Sequence, residues 1–432
     1  MKKNCLYTLT ACLICFFTAC GDNNDAPEID VIQPDEAVEL PAEPKDPVII
    51  TPADPIELTV LQGEKVNSDN VFAFKMFKQV ATLDDNPNTF FSPLSLNMAL
   101  GMLFNGTSGE TRTEMAEALV FAGLTETEIN AFYHKMSQAL MEIDPLTDMD
   151  IANSIWYRTG FPVKQSFIDI NQQYFDATVQ ALDFNKPDAA DIINGWCAEK
   201  TKERITEIVE NPIDPDVVMY LINALYFKSK WLYPFDKALT KQEDFTKAGN
   251  QNKKVNIMNQ TALLPYYSDN NLQCVELPYG NGAFSMVALL PAGNLDIDGL
   301  IDYLDNDTWQ HILNNLWYET VDLKLPRFKV ECELPLNEPI QNTGITRIFY
   351  SGLENIADGP LWVSYIKQKT FVEVNEEGTE AAAVTVIGTV TSTGEAPPPP
   401  PQFYANRPFL YLIKEKSTGT ILFIGRMDEP NE

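Results

Sequence analysis

The chain has 432 residues, of which 45% are hydrophobic and 21% are charged, and its formal net charge is −30. These proportions exclude a wholly disordered protein, and the length fits one large domain with appendages. A strong negative charge repels nucleic-acid phosphates, so we exclude nucleic-acid binding.

The N-terminus has the three parts of a secretory signal: basic Lys2 and Lys3, an apolar stretch over residues 6–17, and small residues before Cys20. The stretch is too short to span a membrane comfortably. Small residues followed by a cysteine resemble the lipobox of bacterial lipoproteins, in which the thiol is acylated, although Phe17 stands where an aliphatic residue is commoner. We expect residues 1–19 to be the signal and Cys20 to carry the lipid; a plain secreted form is the alternative.

Residues 20–57 are expected to form a tether, because recurring prolines and acidic residues leave little to bury. The acidic stretch at residues 21–25 (GDNND) resembles export tags of surface lipoproteins in some Gram-negative bacteria, or it is a plain spacer. We therefore expect an exported, outer-membrane or cell-surface lipoprotein, otherwise a periplasmic or secreted protein. The lipid would be its only membrane contact. Residues 58–432 show no internal repeat and are expected to form one domain.

The cysteines of this domain are Cys197, Cys274 and Cys332. Their odd number and wide spacing argue against a disulfide framework and a zinc site. We expect buried single thiols, no metal and no cofactor.

The hydrophobic pattern predicts helices first and strands later, which indicates the α+β class. Ser92 is an N-cap candidate and Pro93 a first-turn proline for the second helix. Helices are predicted at residues 70–81, 93–105, 110–118, 127–140, 164–175 and 188–201. Strands are predicted at residues 218–227, 273–277, 284–290, 321–325, 370–374, 409–415 and 420–424, with a hairpin turn at 417–419.

No catalytic motif is recognisable in the chain. The two histidines, His134 and His311, fall in helical patterns without a nucleophile nearby in sequence. Residues 106–109 (GTSG) read as a turn between helices rather than a phosphate-binding loop. We therefore expect a protein that is not an enzyme.

The segment at residues 384–393 has strong strand preference and no charge, yet it ends at a glycine and the prolines 397–401. A strand-forming segment without a hairpin partner is an aggregation hazard, so its presence suggests a use. An ordinary strand followed by a proline-rich loop is the alternative.

The residues just before this segment, 371–383 (FVEVNEEGTEAAA), resemble the hinge of inhibitory serpins. Other stretches resemble serpin motifs in the right order. They are residues 90–95 (FFSPLS), 105–111 (NGTSGET), 223–231 (NALYFKSKW), 276–279 (ELPY), 323–328 (LKLPRF), 406–409 (NRPF) and 423–426 (FIGR). The chain is thereby identified as a member of the serpin family over about residues 71–430.

This resemblance implies a serpin fold, with helices on a large mixed sheet, further sheets, and an exposed reactive loop at about residues 376–401. It also implies suicide inhibition: a protease cleaves the loop, is trapped as an acyl-enzyme, and is carried off as the loop inserts into the sheet. An inserted strand needs small, uncharged inward residues, and alternate positions from Thr379 to Thr391 provide them. The hinge comprises Glu377, Gly378, Thr379, Glu380, Ala381, Ala382 and Ala383.

Spacing from the hinge glycine implies a reactive bond between Ser392 and Thr393, with Val390 and Thr391 as alternatives. No Lys or Arg occurs between Lys369 and Arg407, so trypsin-like targets are disfavoured. Small residues fit elastase-like or subtilisin-like serine proteases, and some cysteine proteases. The expected partner is thus a target protease, bound covalently by a monomer, and the alternative is a non-inhibitory serpin-fold binding protein.

The resemblance also assigns two regions where the main sheet opens. Ser92, Ser95 and Asn223 match polar positions of the shutter, and Trp231 matches the tryptophan of the breach. Gln368 stands where a shutter histidine is usual, which would remove a pH response while keeping hydrogen bonds. An N-cap role alone would also explain Ser92.

Overall fold

The computed structural model describes residues 51–83, 87–121, 123–379 and 399–431. Helices and strands are interspersed along the chain. The helices are α1 Val60–Val80, α2 Pro93–Phe104, α3 Gly109–Ala118, α4 Glu126–Glu142, α5 Gln165–Phe175, α6 Ala189–Lys200, α7 Ile297–Tyr303, α8 Asn306–Asn314 and α9 Asn337–Asn342. Within the described ranges, none of them is long and apolar enough to cross a membrane.

The strands are β1 Asn88–Phe91, β2 Thr147–Arg158, β3 Thr178–Leu182, β4 Met219–Lys230, β5 Lys241–Thr246, β6 Asn252–Ser268, β7 Leu272–Pro278, β8 Phe284–Pro291, β9 Trp317–Pro326, β10 Phe328–Pro335, β11 Lys367–Val374, β12 Gly378–Thr379, β13 Gln402–Tyr404, β14 Phe409–Glu415 and β15 Ile421–Met427. The largest sheet has the order β1-β15-β14-β8-β7-β6-β9-β13, and β5 pairs with β6. A second sheet has the order β12-β4-β2-β3, and β10 pairs with β11. The predicted α+β class is confirmed.

Local signals explain why the predicted helices form. The Ser92 side chain accepts a hydrogen bond from the backbone of Ser95, and Pro93 occupies the first turn of α2, as predicted. The helix predicted at 70–81 begins ten residues earlier, at Val60. Its start is a capping box between Thr59 and Gln62, a signal present in the sequence but not used in the prediction.

Three long strands were not predicted: β2, β6 and β10. β2 lies between helices early in the chain, so the helices-then-strands prediction was wrong in this detail. It pairs antiparallel with β4 from Thr147↔Ser229 to Tyr157↔Met219, and this distant partner stabilises it. The predicted hairpin near the C-terminus is confirmed, since β14 and β15 pair antiparallel.

The helices α1 to α4 and the two larger sheets share one hydrophobic core, and a smaller core lies between α6 and the second sheet. Cys197, Cys274 and Cys332 are free and buried, as predicted. Burial raises the pKa of the Cys197 thiol to about 12 and that of Cys332 to about 11. Thiols of this kind are unreactive at neutral pH.

Candidate functional site

In the described part of the chain, a cleft separates β4, in the second sheet, from β11, which pairs with β10. Among the described residues no ladder joins these two strands, and β12 lies beside β4 instead, pairing Gly378 with Lys230 and Thr379 with Ser229. β12 is antiparallel to β4, and it is also antiparallel to the end of β11, through the bridge between Gly378 and Asn375. β4 and β11 therefore run parallel to each other. We call the cleft between them the slot. Its walls are Leu225, Tyr226 and Phe227 of β4 and Phe371, Val372 and Glu373 of β11, with Thr379 also lining it.

A tight turn over Asn375 to Gly378 reverses the chain after β11; we call it the hinge turn. The Asn375 amide donates to the Gly378 oxygen at 3.0 Å, and the Gly378 amide donates back to the Asn375 oxygen at 3.2 Å. The Glu377 amide donates to Asn375 Oδ1 at 3.0 Å. Gly378 has a φ of +144°, and a Cβ there would lie 2.2 Å from the Ser229 backbone oxygen. Only glycine fits this close approach.

Trp231 holds the hinge turn against the end of β4. Its indole N–H donates to the Asn375 oxygen at 2.9 Å, and its backbone N–H donates to the Glu377 oxygen at 3.0 Å. The indole stacks on the Tyr279 ring at 4.4 Å. The Tyr279 hydroxyl is 2.8 Å from Thr379 Oγ1, so it contacts a residue that lines the slot.

A buried ion pair at the hinge turn was missed from the sequence. The Glu376 carboxylate is buried and accepts hydrogen bonds from Arg327 Nε at 2.8 Å to each oxygen, and also from the Thr240 hydroxyl. Burial raises the pKa of Glu376, but the hydrogen bonds from Arg327 and Thr240 lower it by more, so the carboxyl titrates below its ordinary range. Glu377 pairs with Lys237 at the surface.

Gln368 connects the start of β11 to α2. The Ser92 amide donates to Gln368 Oε1 at 2.8 Å, and Gln368 Nε2 donates to the Ser92 oxygen at 2.9 Å. The Ser92 hydroxyl donates to the Leu422 oxygen at 2.8 Å and accepts from the Ser95 amide at 3.2 Å. All the polar groups of this contact are buried, so one amide side chain satisfies both backbone groups of Ser92.

Asn223 has different partners from the other expected shutter residues. Its Nδ2 donates to Asn153 Oδ1 of β2 at 2.8 Å and lies 3.9 Å from the sulfur of Met98. Its buried Oδ1 has no hydrogen-bond partner among the described residues. The structure therefore groups Ser92, Ser95 and Gln368 but hydrogen-bonds Asn223 elsewhere.

Comparison with known proteins identifies the family of the chain. The family model described as "Serpin (serine protease inhibitor)" matches residues 67–430. The chain belongs to the serpin family.

Relatives of this serpin are similar over most of their length. Iripin-3 of Ixodes ricinus is 37% identical over 79% of this chain and 88% of its own, and Iripin-2 of the same species is 33% identical over 85% and 94%. The native-state structure of tengpin, a thermophilic serpin, has a TM-score of 0.77 with 30% identity, and covers 88% of this chain and 97% of tengpin. A thyroxine-binding globulin structure, at 24% identity and a TM-score of 0.76, shares the fold.

Several predicted residues of this serpin lie outside the described residues. They are Cys20, Glu380, Ala381, Ala382, Ala383, Val390, Thr391, Ser392 and Thr393. The described chain resumes at Pro399, near the end of the loop expected at residues 376–401. There β13 pairs parallel with β9, and the Asp322 amide donates to the Pro401 oxygen at 3.0 Å. His134 and His311 lie in α4 and α8, as predicted.

Proposed function

We propose that this serpin is a single-use inhibitor of serine proteases with elastase-like or subtilisin-like specificity, with cysteine proteases as further targets. The observation that carries the proposal is the slot: Gly378 and Thr379 pair with β4, while β4 and β11 share no ladder among the described residues. A further strand could therefore continue from β12 and form ladders with both neighbours.

The register gives the length that such a strand needs. Because Thr379 pairs with Ser229 and the strands are antiparallel, each step along the loop is one step back along β4. Thr389 would then face Met219, the first residue of β4. The proposed bond between Ser392 and Thr393 lies just beyond this end. Loop length and slot length thus agree, and no charged residue between Ala381 and Gly394 would need burial.

The proposed chemistry uses the catalytic groups of the target. The hydroxyl oxygen of the protease serine attacks the carbonyl carbon of Ser392, and the bond to the Thr393 nitrogen breaks. The Thr393 amine leaves with a proton supplied by the protease histidine, and an ester joins the two proteins. The cleaved loop then inserts between β4 and β11, and it moves the ester away from the new N-terminus at Thr393. Insertion has to precede hydrolysis of the ester by water. The same cleavage could take place after Thr391, one residue earlier, or after Val390, two residues earlier.

We further propose that the mature protein is an exported lipoprotein, anchored through Cys20 and held away from the membrane by residues 20–57. The sequence pattern of residues 1–20 supports this. The Ile56 amide donates to Ser417 Oγ at 2.9 Å, so the chain already contacts the folded domain at Ile56.

Thermal unfolding of the loop-cleaved protein tests the proposal. The purified full-length chain is cleaved within residues 384–393 by a protease used in trace amounts, and its melting temperature is compared with that of the intact chain. A new central strand adds ladders on both sides, so we expect a sharp rise on cleavage. An unchanged melting temperature would contradict insertion and would favour a non-inhibitory binding protein.

A further inference from the structure

Two cationic side chains, Lys228 and Arg204, lie on the α6 side of the slot; we call them the slot cations. Asn223 of β4 lies against Met98 of α2, whereas Ile222 packs in the core between α6 and the second sheet. Side chains alternate between the two faces of a strand. The even-numbered residues of β4, including Lys228, therefore face the α6 side.

Arg204 belongs to the loop that follows α6 and lies over the slot. Its guanidinium carbon is 4.9 Å from the centre of the Phe371 ring on β11, in cation–π geometry. Arg204 also lines the slot together with Tyr226 of β4. Burial and the Asp148 carboxylate raise the pKa of the Tyr226 hydroxyl, and the Arg204 guanidinium opposes this rise. Arg204 therefore lies across the slot, near both of its walls.

The register of β12 gives the position of the next loop residue relative to these cations. Thr379 pairs with Ser229, so one further antiparallel step would put Glu380 opposite Lys228. Paired residues of neighbouring strands share a face, so the Glu380 carboxylate would lie on the α6 side. Glu380 is also the last charged residue before Glu395.

On the other wall of the slot, Glu380 would lie opposite another carboxylate. Counting one residue at a time from the bridge between Asn375 and Gly378, it would face Glu373 of β11. Glu373 is itself opposite Lys329 in the β10–β11 ladder. A carboxylate that enters this space is partly removed from water by the loop after α6, and a nearby cation offsets that cost. The β4 wall and Arg204 supply such cations.

We propose that the slot cations bind the carboxylate of Glu380 as the loop enters the slot. The inference rests on the proposed function, because Glu380 moves into the slot only if the loop inserts. The attraction favours the first step of insertion beyond β12, so it speeds insertion relative to hydrolysis of the ester. It also accounts for a charged residue at the start of a segment that is otherwise uncharged up to Gly394.

A charge exchange between Lys228 and Glu380 tests this inference. Glu380→Lys and Lys228→Glu each bring like charges together, so we expect roughly 5- to 30-fold more inhibitor to be consumed per protease trapped. The double variant Lys228→Glu/Glu380→Lys has opposite charges again, and we expect it to return to within about threefold of the unchanged protein. The full-length variants are titrated against an elastase and a subtilisin.

Lys254→Glu is the matched control for Lys228→Glu. Lys254 lies opposite Asp244 in the β5–β6 ladder, as Lys228 lies opposite Asp148 in the β2–β4 ladder, but it belongs to a different sheet. We expect Lys254→Glu to leave the amount of inhibitor consumed unchanged. Combined with Glu380→Lys, it should give no recovery.

Glu380→Gln is a second variant that leaves the sheet itself unaltered, in case Lys228→Glu disturbs the fold beside Asp148. We expect roughly 2- to 5-fold more inhibitor to be consumed at low salt. The difference from the unchanged protein should shrink at high salt, because added ions screen the attraction. Arg204→Gln should act in the same direction.

The outcomes separate this inference from the proposed function. Suppose that the unchanged protein traps protease, but that both charge reversals consume no more inhibitor than it does, or that the double variant is as poor as the worse single variant. The binding of Glu380 by the slot cations would then be overturned, and the inhibitor proposal would stand. Failure of the unchanged protein to trap any protease would overturn both.

Discussion

The Nε atom of Arg327 lies 2.8 Å from each carboxylate oxygen of Glu376, and this pair holds the hinge turn to the start of β10. The two residues are 49 positions apart, so the contact depends on the folded sheet. Glu376 is the residue after Asn375, whose backbone oxygen accepts from Trp231. The ion pair therefore fixes the hinge turn, from which the loop would enter the slot in the proposed mechanism.

Arg327→Ala should destabilise the protein by about 2 kcal/mol, because it leaves a buried carboxylate without its cation. Lys237→Ala is the control, since Lys237 pairs with the neighbouring Glu377 but is 59% exposed, and it should change the free energy of unfolding little. Urea denaturation of both variants measures the difference. Equal decreases in the free energy of unfolding for the two variants would contradict a structural role for the buried pair.

The same pair predicts an acid-dependent contribution to stability. The pKa of Glu376 is lower in the folded protein than in the unfolded chain, where it is about 4.3. The unfolded chain therefore binds the proton first, and the stabilisation is complete above about pH 4.3 and lost as pH falls through the folded pKa. The melting-temperature difference between the unchanged protein and Glu376→Gln should shrink below this pH. A difference independent of pH would show that the carboxylate charge contributes nothing.

If the protein inhibits proteases as proposed, Gly378→Ala should make it a substrate that is cleaved without trapping the protease. Its Cβ would lie 2.2 Å from the Ser229 oxygen, at a φ of +144°, so pairing of β12 with β4 would carry strain of about 1–3 kcal/mol. Slower insertion allows ester hydrolysis, and we expect roughly tenfold more inhibitor to be consumed per protease. Gly195→Ala in α6 is the control, because a Cβ there meets nothing within 4 Å. Unchanged stoichiometry in Gly378→Ala would show that this pairing is not needed for insertion.

Gln368→His should introduce a pH response between the start of β11 and α2. A neutral histidine can accept from the Ser92 amide, but a protonated one cannot. Its folded pKa should lie below the unfolded value of about 6.5, so stability would fall as pH drops through that value. Melting temperatures from pH 5.5 to 8 should diverge from those of the unchanged protein at the acidic end. Subtracting the two curves removes the contributions of His134 and His311, and parallel curves would refute the contact.

Local sequence patterns were enough to predict many of the helices and strands. Contacts between residues that are distant in the sequence could not be predicted. The cap at Ser92 and the turn before Ile421 depend on near neighbours, and both were predicted. β2 depends on β4, some seventy residues away, and was missed. The Arg327–Glu376 pair joins two stretches that each resembled a serpin motif, yet neither stretch alone reveals their contact. Asn223 was grouped with Ser92 by resemblance, whereas its hydrogen bond goes to Asn153.

The central claim is tested most directly by mixing the full-length protein with an elastase and with a subtilisin, and by analysing the products on a denaturing gel. We predict a stable band with the summed mass of serpin and protease, and a released C-terminal peptide that begins at Thr393. Complete cleavage without such a band, across a wider set of serine and cysteine proteases, would contradict the account.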